Sequence, residues 1–500
     1  MRIDRRAFLA RSAGGALAVA LPQLPLAEPS APVLPKRAAR ALRAAVRGPV
    51  LFPGTPGYRG ARLVYNLRYD GRKPDAVAQP LDTRDVQAIV KWAGRFDVPI
   101  VPKSGGHSYA GYSTTSNGVV VDLSRLRRIR VSPGSKRASV GGGVQLIDLY
   151  AALSAHGLTV PAGSCPSVGV GGHALGGGMG LAGRKFGLAS DNIRGLTIVT
   201  ADGRARQIDS GTNADLLWAC RGGGGGNFGI VTSFTFKVHR ARSAAWFNIT
   251  WPWSHASAAL DAWQRLVPHA PDGLTAIFHL TTGGSSPIAS VSGQYFGSTA
   301  ALRRLIAPLT RVGGNLSIGS SSYMSLMLRW AGCLGDPVAE CHTRGTRPGG
   351  DLPRASFQAK SDYVDRPLSA RARATAIDWI ERRQRTPSNG SGALLLDSYG
   401  GAINRVKPDA TAFVHRGQLF CIQYLAYYGN SAATAAWLRG VHRAMSPYVS
   451  GEAYQNYIDP GLRSWQREYY GANLGELREV KKKYDPDFMF RFRQAIPPAA

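Results

Sequence analysis

With 44% hydrophobic and 9% aromatic side chains over 500 residues, the chain exceeds what one core usually supports, which excludes a disordered protein and predicts two or more domains. A formal charge of +30 raises nucleic acid first, but the arginines are scattered, the longest cationic run is Lys481 to Lys483 and no nucleic-acid motif occurs, so no nucleic-acid partner is expected. A basic surface for anionic substrates or envelope polymers stays open, whereas the absence of any Cys-x-x-Cys pair argues against a zinc site, and no metal is expected.

Taken in order, the chain opens on Asp4-Arg5-Arg6-Ala7-Phe8-Leu9-Ala10, an apolar run from Ala13 to Leu21 and small residues near Ala27. Residues 1–27 therefore read as a twin-arginine signal peptide, engaging the Tat export machinery and directing the protein to the periplasm or the outside of a bacterial cell. Its apolar core is too short to cross a bilayer, and no later stretch reaches the roughly 18 apolar residues a span needs. Residues 28–60, rich in Ala, Pro and Arg, read as an extension leading onto the domain surface.

Strands are predicted at 75–80, 99–102, 118–123 and 138–141, with helices at 82–95 (capped by Asp82 or Thr83) and 145–156, which makes an α+β nucleotide-binding domain the expectation. Strands at 196–200 and 205–208 flank Asp202-Gly203, a hairpin turn signal, and 228–236 alternates as a further strand. The hairpin also disposes of a dinucleotide fingerprint at Gly178-Met179-Gly180-Leu181-Ala182-Gly183: no strand precedes it, no long helix follows it, and Asp202 sits at a turn tip. From about Ala244 the composition shifts to Trp, Ser and Ala, with alternating segments at 275–280 and 290–295 and helices at 258–266 and 370–383. That pattern predicts a second domain of antiparallel sheet covered by helices on one face. Among the five cysteines, Cys333 and Cys341 are near enough in sequence to close a short loop, which spacing alone leaves open.

Three glycine-rich stretches organise this chain: Pro102-Lys103-Ser104-Gly105-Gly106-His107-Ser108-Tyr109, the run from Ala162 through Cys165 and His173 to Gly180, and Arg221 to Gly229. So many glycines persist where backbone must approach something closely, and three such loops can turn converging N–H groups on phosphate. The first two stretches, S-G-G-H-S and C-P-x-V-G-x-G-G-H-x-x-G-G-G, resemble those of the berberine-bridge-enzyme-like flavoproteins of the vanillyl-alcohol-oxidase superfamily, a resemblance running from about Tyr65 to the C-terminus.

That resemblance implies an α+β fold: a two-subdomain PCMH-type FAD-binding domain at 61–240, a substrate domain at 241–440 and a closing element at 441–500 that returns to the flavin domain and makes it discontinuous. It implies FAD attached bicovalently, through His107 to the C8-methyl and Cys165 to C6. Cofactor binding would fall to Lys103, Ser104, Gly105, Gly106 and Ser108, to Gly163, Val168, Gly169, Gly171, Gly172 and His173, to Asn227, Phe228, Gly229, Ile230 and Val231, and to Asn456 and Asn473. Oxidation of an alcohol needs a base for the hydroxyl proton. Tyr457 is the first candidate, made more basic by a carboxylate or flavin neighbour, and Asp397 the second; Tyr399 alternates onto the face of Asp397, and Tyr109 lines the cleft.

The resemblance further implies that a valine at Val168 leaves room for dioxygen near the flavin. The expectation is an exported oxidase that takes hydride from a hydroxyl- or amine-bearing carbon of a carbohydrate or secondary metabolite and reduces O2 to H2O2. Two alternatives stay open at this point: a dehydrogenase passing electrons to a quinone or protein, and a basic polymer-binding protein on a vestigial flavin fold.

Overall fold

A computed structural model describes residues 34–386, 390–428 and 431–500, so the twin-arginine segment lies outside the described residues. The N-terminal sheet has the order Val50–Leu51, Ala76–Ala78, Val119–Asp122, Ile100–Lys103, parallel except at its first pair. The helix Thr83–Phe96 packs Val86, Ile89, Val90 and Ala93 on that sheet, and Asp82 is its cap, accepting from the N–H groups of Arg84 and Asp85. Removing such a cap costs about 1 kcal/mol. The stretch expected to lead onto the domain surface does more than run over it. Its helix Lys36–Ala45 buries Ala38 and Leu42 in the same core, where the Trp92 indole donates to the Ala38 carbonyl at 2.9 Å, and Val50–Leu51 adds an edge strand.

A five-stranded antiparallel sheet follows, ordered Ile129–Ser132, Arg137–Gly141, Ile230–Lys237, Ile193–Val199, Ala205–Asp209. Gly203 at φ +71° makes the predicted hairpin turn, and the Asp202 carboxylate is engaged by Arg206 and Thr200. The residue that would hold a ribose in a dinucleotide fold is thus already bonded, and only the four-residue helix Gly183–Phe186 follows the Gly178–Gly183 run. Strand alternation sends Ala138, Val140, Leu196, Ile198, Phe234 and Phe236 inward, under the helix Leu146–Ser154. The C-terminal helices Trp465–Tyr470 and Leu474–Tyr484 add Tyr469, Tyr470, Leu477 and Val480 to this core.

The third layer is a seven-stranded antiparallel sheet, ordered Asn315–Ser322, Ser243–Trp251, Ile288–Tyr295, Leu274–Thr281, Ser391–Ser398, Phe420–Tyr427, Phe357–Val364. One face buries Phe247, Phe278, Leu394, Leu396, Ile422 and Tyr424 beneath the helices Ala256–Leu266, Ala370–Gln384 and Ser431–Met445. The period-two alternation leaves Ile277, His279, Leu395, Asp397 and Gln423 on the other face, which closes over the glycine loops. The Cys333 and Cys341 thiols are buried in one cluster over the carbonyls of Ala331 and Pro337.

Candidate active site

The strand Ile100–Lys103 delivers the loop Ser104–Tyr109 against the Cys165 loop. Ser104 Oγ donates to the Gly142 carbonyl at 2.6 Å. A Cβ on Gly105 would lie 2.2 Å from the Gly169 nitrogen, and one on Gly169 would lie 2.1 Å from the Gly105 nitrogen, so the loops touch backbone to backbone. No side-chain rotation relieves that overlap. Gly105→Ala is therefore expected to cost about 3 kcal/mol, the upper end of what overpacking usually costs, and to cut the FAD content of the purified protein. Gly475→Ala, which meets nothing within 4 Å, should leave both the melting temperature and the flavin absorbance near wild type.

Loops and sheet enclose a cavity of about 330 Å³. Among the described residues, the N–H groups of Gly106, His107 and Ser108, of Gly171 and Gly172, and of Gly225 and Gly226 have no protein acceptor, and all seven residues line the cavity. Open backbone donors from three loops fit the pyrophosphate of FAD without a charged side chain. Lys481, fully buried, fixes the third loop by donating to the Asn227 carbonyl at 2.5 Å and the Phe490 carbonyl at 2.8 Å.

His107 stacks on Tyr65 at 4.2 Å, and its Nε2 lies 2.9 Å from Ser167 Oγ. Burial lowers its pKa to about 3, so the ring is neutral near pH 7. Cys165 lines the same cavity, close enough to Tyr109 that its charge would raise the phenol's pKa. His173, lowered to about 4 by burial, accepts the Gly163 N–H on Nε2 at 3.0 Å and so ties the Cys165 loop to the short helix Val170–Leu175.

At the sheet end of the cavity Tyr109 and Tyr457 stack at 5.6 Å with 2° between their planes. Gln423 Nε2 donates to Tyr109 Oη at 2.5 Å. Tyr457 Oη donates to Asp397 Oδ2 at 2.9 Å, and burial first, then the Asp397 charge, push the Tyr457 phenol well above its usual pKa. The phenol is therefore protonated, and Asp397 is the group that accepts from it. Asn456 Nδ2 donates to the His173 carbonyl at 2.9 Å, and Tyr454 Oη accepts the N–H groups of Gly178 and Met179, so the C-terminal segment holds the second loop.

Most sequence-predicted site residues meet in this one cavity, Ser104, Gly163, Val168, Gly229, Ile230 and Val231 included; four do not. Lys103 points away and is spent on the Ala61 carbonyl and Asp122. Phe228 packs into the core of the five-stranded sheet, and Asn473 donates to the carbonyls of Pro408 and Thr411. Tyr399 lies one residue beyond the strand Ser391–Ser398 and keeps to the face of Asp397, where its N–H turns to the Leu419 carbonyl, its hydroxyl bonds Tyr363 at 3.0 Å and its ring packs with Cys421 and Tyr454, but it is fully buried there and does not line the cavity. Sequence reasoning missed Gln423, His279 and Tyr454. Alternation places the first two on the cavity face of their strands, but only once those strands have been paired.

Residues 74–209 match the family model described as FAD binding domain, and residues 453–497 match the one described as berberine and berberine like. The chain is 34% identical over 458 residues to the FAD-linked oxidoreductase YgaK of Bacillus subtilis strain 168, covering 90% of this chain and 97% of that protein. Its fold is similar to that of Physcomitrella patens BBE-like 1, with TM-score 0.85, 33% identity and coverage of 93% and 99%. A xylooligosaccharide oxidase from Myceliophthora thermophila C1, solved in complex with xylobiose, gives TM-score 0.83, 30% identity and the same coverage.

Proposed function

The chain belongs to the berberine-bridge-enzyme-like FAD-linked oxidoreductases, and from that premise we propose that it is an exported oxidase with bicovalently attached flavin. Its substrate on this reading is a carbohydrate or hydroxylated secondary metabolite, oxidised at a hydroxyl-bearing carbon to the carbonyl while O2 becomes H2O2. One observation carries the reading: the hydrogen-bonded pair of Tyr457 and Asp397 faces the same cavity as His107, Cys165 and the open N–H groups of three glycine loops. The oligosaccharide oxidase among the similar structures supports the substrate class.

Bound FAD supplies the hydride acceptor. Everything else is done by the chain. His107 engages Ser167 through Nε2, which leaves Nδ1 as the nitrogen for attachment, and Cys165 supplies a second tether from the facing loop. Tyr457 Oη takes the proton of the substrate hydroxyl as its own proton passes to Asp397 Oδ2, so the alkoxide develops without a phenolate ever standing free. Tyr109, fixed by Gln423, is a flat wall for a sugar or phenolic ring. Val168 lines the cavity with a short side chain, which on this reading leaves room for O2. The twin-arginine segment would carry the folded, flavin-loaded enzyme out of the cytoplasm.

The test is peroxide release across a panel of neutral oligosaccharides and hydroxylated aromatics. One H2O2 per carbonyl formed is expected, with fast reoxidation in air. Flavin that is reduced by a substrate but reoxidises slowly in air and rapidly with a quinone would make the protein a dehydrogenase instead.

A further inference from the structure

The outer face of the five-stranded sheet turns away from the cavity and carries a charge pattern the oxidation does not use. Between Asp122 and Asp148 the sequence has no acidic residue, yet it holds Arg125, Arg127, Arg128, Arg130, Lys136 and Arg137, every one of them exposed. Strand register brings the cations together. Ser132, Arg137 and Lys237 form one row across three strands, and Arg130, Ser139 and Thr235 form the next. Arg137 and Lys237 are direct cross-strand partners, an arrangement that is destabilising for like charges. Neither these three cations nor Arg194, exposed on the adjoining strand, takes part in an ion pair among the described residues. The local field is positive: burial first, then the charges of Lys237 and Arg194, bring His239 down to about 4.

We propose that this face is a docking surface for a linear carboxylated polysaccharide, a second binding site remote from the oxidation cavity. A chain of carboxylates answers Arg137 and Lys237 about 4.8 Å apart on neighbouring strands with Arg130 one row, about 6.8 Å, further along, and the interleaved hydroxyls of Ser132, Ser139 and Thr235 suit sugar hydroxyls. The occupant is not single-stranded nucleic acid, because the rows contain no aromatic ring on which bases could stack. A flat face also offers no helix or ribbon to enter the major groove of a duplex.

The holoenzyme would be run by affinity electrophoresis in gels containing polygalacturonate or neutral dextran, with anionic vesicles and duplex DNA as competitors. Three proteins would be compared: wild type, Arg130→Ser/Arg137→Ser/Lys237→Ser, and a charge-matched control, Arg303→Ser/Arg304→Ser/Arg311→Ser, taken from another exposed surface. The expected result is retardation of wild type and control by polygalacturonate alone, lost on added salt, and weakened about tenfold or more in the sheet variant, with flavin absorbance and turnover of a small substrate unchanged. Equal retardation of the two triple variants, equal retardation by dextran, or tighter competition by DNA or vesicles than by polygalacturonate would each overturn the proposal.

Discussion

Asp397→Asn is expected to lower kcat by about 10² to 10⁴-fold while the flavin spectrum and the melting temperature stay near wild type. The substitution keeps the shape of the side chain and an oxygen that can accept from Tyr457 Oη, now at 2.9 Å, but removes the capacity to take up a proton. Tyr457→Phe breaks the same relay from the other end. Because the two groups act as a unit, the double variant should fall little further than the worse single one. Burial and the Asp397 charge both raise the Tyr457 pKa, so the phenol stays protonated from neutral pH to pH 10 and no rise in kcat from phenolate formation is expected in that range. A kcat that climbs with a pKa near 8, or a near-normal rate in Asp397→Asn, would place the proton acceptor elsewhere.

Lys481→Met is expected to have the largest effect on stability among single changes outside the cavity. Lys481 and Asp485 are both fully buried and paired at 2.5 Å, and removing one partner of such a pair costs about 3–5 kcal/mol. The exposed pair Arg382–Asp378 is worth no more than about 1 kcal/mol, so Arg382→Met should be nearly silent. Loss of Lys481 also frees the Asn227 carbonyl and thereby the loop that aims Gly225 and Gly226 at the cavity, so FAD content should fall with the melting temperature. Adding Asp485→Asn to Lys481→Met should recover part of the loss by removing the uncompensated buried carboxylate, but only part, because Met489 and Phe490 donate to different carboxylate oxygens and the amide keeps an oxygen for one of them alone. Thermal melts and the ratio of flavin to protein absorbance read both effects.

The glycine loops were legible because their chemistry is local: runs such as Ser104-Gly105-Gly106-His107-Ser108 are contiguous in sequence, and their use is set by backbone geometry. The helix Thr83–Phe96 and the Asp202-Gly203 hairpin were readable for the same reason, one from apolar spacing and a capping carboxylate, the other from a turn dipeptide. The serine-rich edge strand Asn315–Ser322 holds a single β-branched residue, Ile318, and no aromatic one, too little to mark it as a strand; its position comes from pairing with Ser243–Trp251. Tyr399 shares the face of Asp397 as alternation predicts, but it is fully buried and its hydroxyl is taken by Tyr363, so a shared face did not bring it into the cavity. Gln423 and His279 were missed because membership of the cavity wall is a property of sheet order rather than of any local signal. Lys103 and Asn473 show the converse error, polar residues beside a cofactor loop whose hydrogen bonds are consumed by the protein itself.

The central claim is that His107 and Cys165 both hold FAD, and intact mass with an absorbance spectrum after denaturation tests it most directly. Wild type, His107→Ala and Cys165→Ala should each keep the mass and the yellow absorbance of FAD through denaturation, and His107→Ala/Cys165→Ala should release it. Flavin freed from denatured wild type, or retained by the double variant, would contradict the account.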